Sequence, residues 1–473
     1  MFEKIQRLIK KVSEQEYAKA SIYYVVANII GQGIILLSSA LFTRMMSKTD
    51  YGLASTYSTW VLVLNTFICM NLFISVRTAY IDFRSDYDQY NSSVLLLSIL
   101  CGTGMAAMIG CITRVGRSDL GIQEVLLACI QSIALNIINF MMAIQSMKNE
   151  YKQRAIMMIA PNWMHTLLSV GLMLIFTSDL YMAKIAGNAF GLAAFGALSA
   201  AILFVKAVPK VSLQYWEYAL RIAVPSIFNT LSDLILMQCD RLMLTSIIGA
   251  EETAEYSIIY NVGSIIVAIY QAINGAWLPW FFREVKEDHR EKVKKYQGYY
   301  MLIFTVFTCG MMTISPELIK IMSPQDYWTG IQYVAPVVAA SYLIFLYAFF
   351  SAYLLYRKRT VRIAVNTVIV AGLNIAMNFV LIPHYRAVGA VMATVISYML
   401  LFILHLISIK SEGRQYFAIR KMWLNIVGVS MFGVMFCFVR DTWIFRYGLF
   451  IAVLVMVWFF RGKDMMRGFV KEN

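Results

Sequence analysis

One stretch of the chain places acidic and amide side chains on a single helical face inside an otherwise apolar run. Asn229, Asp233 and Asp240 stand at i, i+4 and i+11, with Arg241 beside the last of them, and Ser226 and Met237 fall on the same stripe. Charge within an apolar span is costly and marks a functional path. A carboxylate held there can load a proton or hold Na⁺, which makes Asp233 and Asp240 candidates for ion coupling. Asp240 and Arg241 also read as a structural ion pair, whereas Asp233 has no cation near it in sequence. Pro225, at the start of the stripe, predicts a kink with loosened backbone pairing.

A second stretch repeats this layout. At a constant offset of 197 residues, Gln32 falls on Asn229 and Arg44 on Arg241. The earlier copy carries Asn28, Gln32, Ser39 and Thr43 and ends at Arg44, which suits interfacial anchoring as well as substrate contact. The next span after the second copy adds Ser257, Asn261, Ser264 and Gln271, then Asn274. Its amides are suited to hydrogen-bonding sugar hydroxyls. Trp277 and Trp280 read as interface-belt residues near the cytoplasmic face. Asn65, Asn71, Asn136 and Asn139 read as helix–helix contacts. The mixed charges Arg77, Asp82, Arg84, Asp86 and Asp88 read as a polar loop, and Arg221 and Lys184 are further candidates for a cavity wall.

The elements that carry these residues are dictated by composition. The 473 residues are 60% hydrophobic and 14% charged, against about 25% charged in a soluble protein, and the mean hydropathy is +0.65. Apolar runs of bilayer length follow one another with short polar punctuation. The pattern predicts an all-α polytopic membrane protein of about fourteen spans. Ser178-Asp179 separates the fifth from the sixth, and Arg440-Asp441 the thirteenth from the fourteenth. No loop is long enough for a soluble catalytic domain.

The net charge of +14 follows topology rather than nucleic-acid binding. With the N-terminus in the cytoplasm, 31 of the 41 basic residues assign to the cytoplasmic side and nine to the outside, which satisfies the positive-inside rule. Within residues 1–18, Phe2, Ile5, Leu8, Ile9 and Val12 share one face opposite Lys4, Arg7, Lys10 and Lys11. This predicts an amphipathic helix on the cytoplasmic surface, not a signal peptide.

The repeat extends beyond the two stripes. Leu53-Ala-Ser-Thr-Tyr57 resembles Tyr256-Ser-Ile-Ile-Tyr260, and the fifth-to-sixth unit has the layout of the eleventh-to-twelfth. Six spans per repeat is even, so the copies are expected to be parallel. The expected domains are an N-lobe at 19–206, a cytoplasmic linker at 207–218, a C-lobe at 219–410, and two further spans with a basic tail at 411–473. Such a pair of lobes points to a transporter with its site between them.

Several chemistries find no support in the sequence. There is no G-x-x-x-x-G-K-[ST], H-E-x-x-H or G-x-S-x-G. The four histidines lack metal-ligand spacing, and the seven cysteines fall within apolar spans without C-x-x-C. No cofactor, metal or catalytic residue is expected, and the energy source is an ion gradient, the membrane potential or downstream removal of substrate.

Ala40-Leu-Phe-Thr-Arg44, Asp50-Tyr-Gly-Leu53, Cys239-Asp-Arg-Leu-Met-Leu244 and Gly249-Ala-Glu-Glu252 with Tyr256-Ser257 resemble the pattern of polysaccharide-unit flippases. So do Leu381-Ile-Pro383, Val388-Gly-Ala-Val391 and Ala393-Thr394. The resemblance covers roughly residues 18–410. These flippases belong to the superfamily that also holds multidrug/cation antiporters and the lipid II flippase.

The resemblance implies a V-shaped pair of six-helix lobes working by alternating access in a bacterial cytoplasmic membrane, with both termini cytoplasmic. It implies as substrate an oligosaccharide on undecaprenyl pyrophosphate, with polysaccharide polymerase and glycosyltransferases as partners, membrane lipids around it and H⁺ or Na⁺ as coupling ion. Arginine's planar fork suits pyrophosphate, so Arg44 and Arg241 become head-group candidates, and Asn229, Gln32, Asn261 and Gln271 candidate sugar contacts. The two extra C-terminal spans resemble the lipid II branch, but span one lacks the mid-membrane arginine expected of that branch. A cation-coupled multidrug antiporter is the alternative. A membrane polymerase would be expected to carry a long outward loop with catalytic Arg or His, which is absent here.

Overall fold

The computed structural model describes residues 2–115 and 121–458. The chain runs through helices α1 Phe2–Met45, α2 Lys48–Ile68, α3 Ser75–Asp82, α4 Tyr87–Val115, α5 Ile122–Met147, α6 Tyr151–Ile175, α7 Leu180–Lys206 and α8 Leu213–Ile247. It continues through α9 Ala250–Lys286, α10 Arg290–Met322, α11 Val334–Tyr356, α12 Thr360–Ser408, α13 Lys410–Arg414, α14 Ile419–Val439 and α15 Trp443–Val457. Two 3-10 turns, Leu72–Ile74 and Gln325–Tyr333, precede α3 and α11. No strand occurs among the described residues. In hydrocarbon only intra-helical pairing satisfies each backbone group locally, and the composition leaves the chain no other route.

Eleven segments among the described residues are long and apolar enough to cross a membrane. A twelfth is the broken span formed by α2 with Leu72–Asp82, bent by 66°. Against the fourteen spans expected, the eleventh and twelfth run together in α12, whose two arms meet at Arg386 with φ 54° and ψ −133°. The fourteenth is α15, only 15 residues, or about 22 Å at 1.5 Å per residue, short of the roughly 30 Å hydrocarbon core. The side chains of the amphipathic 1–18 segment and the basic tail beyond 458 lie outside the described residues.

The helices gather into two compact units, Met1–Ala254 and Glu255–Asn473. This division falls later than the sequence repeat, because α8 packs with the first unit. Packing groups helices by shared surface, whereas a repeat groups them by likeness. In the first unit Phe83 stacks on Tyr90 and meets Tyr215 and Tyr218 edge-on, over a core that includes Leu72, Val76, Val94, Phe140, Ala219 and Ala223. The 207–218 linker is tied to α4: Ser92 donates to the Ala207 carbonyl, Ser93 to that of Lys210, and the Trp216 indole to Ser93. The short mixed-charge segment is ordered rather than free, since Tyr218 bonds Asp82 and Lys148 pairs with Asp88.

The second unit is built around rings. Trp277 packs against Trp280, Phe281, Tyr300 and Phe349, and Phe304 against Phe345. Trp277 is thus half-buried within a cluster of rings. The arms of α12 are joined by Asn374 donating to Ser397 at 3.0 Å and Asn366 to Ser408 at 3.0 Å. The C-terminal helices are fastened onto α10. Gln297 accepts from the Ala418 amide at 2.9 Å, and buried Arg446 donates to the Thr313 carbonyl at 2.8 Å while forking onto Glu317. All seven cysteines are free thiols; Cys69, Cys129 and Cys309 are buried, whereas Cys111 and Cys437 are exposed.

Candidate functional site

Helix α8 is one continuous helix with Pro225 inside it, apolar enough to span, and it lines up the polar stripe as the sequence spacing requires. Its buried residues include Ala219 and Ala223 in the first half and Ser232, Leu236 and Met243 in the second. Tertiary packing splits the stripe itself. Asn229 and Asp233 sit on the open side, with the Asn229 amide 3.4 Å from the Asp233 carboxylate, whereas Asp240, two turns on, is only 2% exposed. Arg241 is half-buried and donates from Nη1 to Gln238 at 2.9 Å. The result is an accessible carboxylate–amide pair and, toward the helix end, a carboxylate and a guanidinium on adjacent residues.

The matching copy on α1 is looser. Gln32 is half-buried, and exposed Arg44 folds back to donate to the Ala40 carbonyl at 2.7 Å. Lys184 is 8% exposed, its ammonium 4.7 Å from the Phe42 ring centroid and 4.6 Å from that of Tyr51. That is a cation held by aromatic faces inside the first unit. Arg221, in contrast, is exposed and pairs with Glu217 one turn away.

A site that sequence reasoning reduced to helix glue is more particular than that. The α2–α3 break leaves Asn71 in the left-handed region, φ 55°, buried, with its amide donating to Ser226 at 3.2 Å and Thr230 at 2.9 Å. The break in span two is thus stitched to α8 beside Asn229. Asn71→Ala is expected to cost about 1–3 kcal/mol, read as a lower Tm of the purified protein. Asn71→Gly should restore the backbone freedom but not the hydrogen bonds, leaving an intermediate Tm; wild-type Tm in both variants would show the stitch to be idle. The signal available in sequence was the positive-φ preference of asparagine within an apolar run, which spacing alone does not reveal.

The sequence profile of the polysaccharide biosynthesis protein family matches residues 17–285, more than half of the chain. The chain belongs to the polysaccharide biosynthesis protein family. No curated protein matches it. Among solved structures, the lipid II flippase MurJ in an inward closed conformation superposes with a TM-score of 0.71 at 14% identity, covering 94% of this chain and 100% of that one. An outward-facing multidrug resistance MATE family transporter of the MOP superfamily gives 0.58 at 14% identity, covering 88% and 97%. A MOP superfamily transporter from Pyrococcus furiosus gives 0.55 at 15% identity, covering 84% and 96%. At these identities the likeness is one of fold: this polysaccharide biosynthesis protein is a multi-pass membrane protein with the MOP-type transporter fold.

The family match ends just after the remaining candidates. Asn261 is half-buried on α9 with its carbonyl accepting from Ser264 at 2.7 Å, and Gln271 is exposed three turns further on. Both belong to the second unit, apart from the six candidates of the first. Among the described residues, the one group of ligand type close enough to share a metal is Glu284, Glu287 and His289. Glu284 is already paired with Lys292 at 3.0 Å and with His289 at 2.8 Å. That cluster closes the α9–α10 corner of this polysaccharide biosynthesis protein as an ion-pair network.

Proposed function

We propose that this protein is a flippase that carries an oligosaccharide repeat unit linked to undecaprenyl pyrophosphate from the cytoplasmic to the outer leaflet by alternating access, for surface polysaccharide biosynthesis. The observation that carries the reading is α8: an apolar span bearing Asn229, Asp233, Asp240 and Arg241, in a chain of the polysaccharide biosynthesis family with a MOP-type fold. A sugar–pyrophosphate head cannot enter hydrocarbon without replacement of its hydration, and amides and guanidinium groups supply that replacement. Arg241 and Arg44 take the pyrophosphate. Asn229, Gln32, Asn261 and Gln271 take sugar hydroxyls, and Asp233 and Asp240 take the coupling ion. The protein works in the bacterial cytoplasmic membrane with both termini inside, in two repeats of six spans, alongside glycosyltransferases and a polymerase.

The test is a vesicle assay with purified protein and a lipid-linked oligosaccharide carrying a labelled sugar, read by an impermeant sugar-modifying reagent. Protein-dependent exposure of the inner-leaflet pool is expected; its absence across lipid-linked oligosaccharides would end the reading. The accessible Asp233 favours a second reading, a cation-coupled multidrug antiporter. Proton- or sodium-driven efflux of organic cations without any flipping would establish that reading instead. Within the flippase reading, Asp233→Asn is expected to blunt the dependence of flipping on an imposed H⁺ or Na⁺ gradient by about tenfold, since the neutral amide holds no ion. Full gradient dependence in that variant would remove Asp233 as the coupling group.

A further inference from the structure

At one end of the second unit two cavities adjoin. The first, about 440 Å³, is lined along one wall by Val388, Val391, Met392, Val395 and Ile396. This spacing makes them one face of the second arm of α12. The second, about 360 Å³, holds Lys320, Trp328 and Asp441 and shares Arg440 and Gln332 with the first. Lys320 ends α10 with its ammonium 5.2 Å from the Trp328 ring centroid, and Arg440 follows the end of α14, 3.7 Å from exposed Asp441.

We propose that the paired cavities bind one anionic glycerophospholipid of the outer leaflet, its acyl chain along α12 and its phosphate between Lys320 and Arg440. Three observations converge on this occupant. An apolar trough opening into a cationic one has the shape of an amphiphile, and both volumes lie in the range of ligand sites. Next, α10 begins at the basic Lys292–Lys295 segment and α14 at Arg420-Lys421, so Lys320 and Arg440 stand at the opposite, outer end, where only nine of the 41 basic residues assign. Cations placed there are not topology signals, and basic pockets between spans recognise lipid head groups. Finally, two cations less Asp441 leave one net positive charge, which matches the single charge of a phosphodiester rather than the higher charge of a pyrophosphate. The site shares no residue with the transport reading and stands or falls without it.

Native mass spectrometry of the full-length detergent-purified protein, titrated with palmitoyl-oleoyl-phosphatidylglycerol or the corresponding phosphatidylcholine, tests the proposal. The first phosphatidylglycerol is expected to bind roughly tenfold more tightly than phosphatidylcholine. Lys320→Gln and Arg440→Gln should each weaken it about fivefold. Met392→Trp, which fills the trough, should weaken both lipids. Arg440→Lys keeps the charge and should bind as the wild type does, which separates loss of the site from loss of fold. Equal affinity for the two lipids, or indifference to both Gln variants, overturns the proposal. So does displacement by inorganic phosphate with Met392→Trp neutral, which would mark a plain anion site. Displacement by undecaprenyl pyrophosphate at lower concentration than by phosphatidylglycerol itself would assign the cavities to the carrier and equally overturn it.

Discussion

Arg241→Ala is expected to abolish flipping while the protein still inserts and accumulates in the membrane. The side chain is half-buried, beside Asp240 at 2% exposure, on a span whose other faces are apolar or packed. In the proposed reading it meets the pyrophosphate, and a hydrogen bond to a charged group contributes about 1.5–3 kcal/mol. Loss of a two-pronged contact, about 3 kcal/mol or more, then corresponds to a drop of at least about a hundredfold in flipping rate at limiting substrate. Arg241→Lys keeps the charge but not the fork, so it should fall between the two. The decisive comparison is with Arg44→Ala, because Arg44 lies exposed at the end of α1 and already folds onto its own helix. Its removal should cost less. A flipping rate in Arg241→Ala equal to wild type, at matched membrane abundance, would take Arg241 out of the substrate path.

That contrast between two arginines also shows how far the amino-acid sequence speaks. Periodicity places Asn229, Asp233 and Asp240 on one face correctly, because side-chain direction on a helix is a local property. It does not separate accessible Asp233 from buried Asp240, because burial is decided by which other helices arrive. The spans themselves are legible from apolar length, and so is the turn at Arg386, which follows Pro383-His384-Tyr385 at the boundary expected between the eleventh and twelfth spans. The bend at Asn71, a positive-φ residue within an apolar run, interrupts no hydropathy signal. The Arg446–Glu317 pair left a clue in retrospect, one basic and one acidic residue lodged in separate apolar segments, and such charges pair or line a path. The compact units diverge from the sequence repeat for the same reason: likeness along the chain is written in the residues, but adhesion between α8 and its neighbours is a tertiary fact.

Two of the short motifs that looked like family signatures turn out to touch, and the second large effect follows from that contact. Gly52 of Asp50-Tyr-Gly-Leu53, the fifth residue of α2, lies against Ala250 of Gly249-Ala-Glu-Glu252, which opens α9. A Cβ added at Gly52 would stand 1.8 Å from the Ala250 carbonyl oxygen and 2.6 Å from its carbon. Neither atom belongs to a side chain that could swing away, so a helix must move. Around the contact, Thr49 donates to Glu251 at 3.2 Å, and the hydroxyls of Thr56, Thr245 and Thr253 form a chain from α2 through α8 to α9. Displacing α2 breaks these bonds together. Overpacking of this kind costs about 1–3 kcal/mol before the hydrogen bonds are counted, and each of those adds about 1 kcal/mol. Gly52→Ala is therefore expected to cut the folded yield severely, read by fluorescence-detected size-exclusion after mild heating. Gly104→Ala on α4 is the matched control, since no atom lies within 4 Å of the added methyl, and alanine there should leave yield unchanged or slightly higher. Equal thermal survival of the two variants would mean that α2 and α9 do not approach so closely, and that the glycine in the first motif serves something other than this contact.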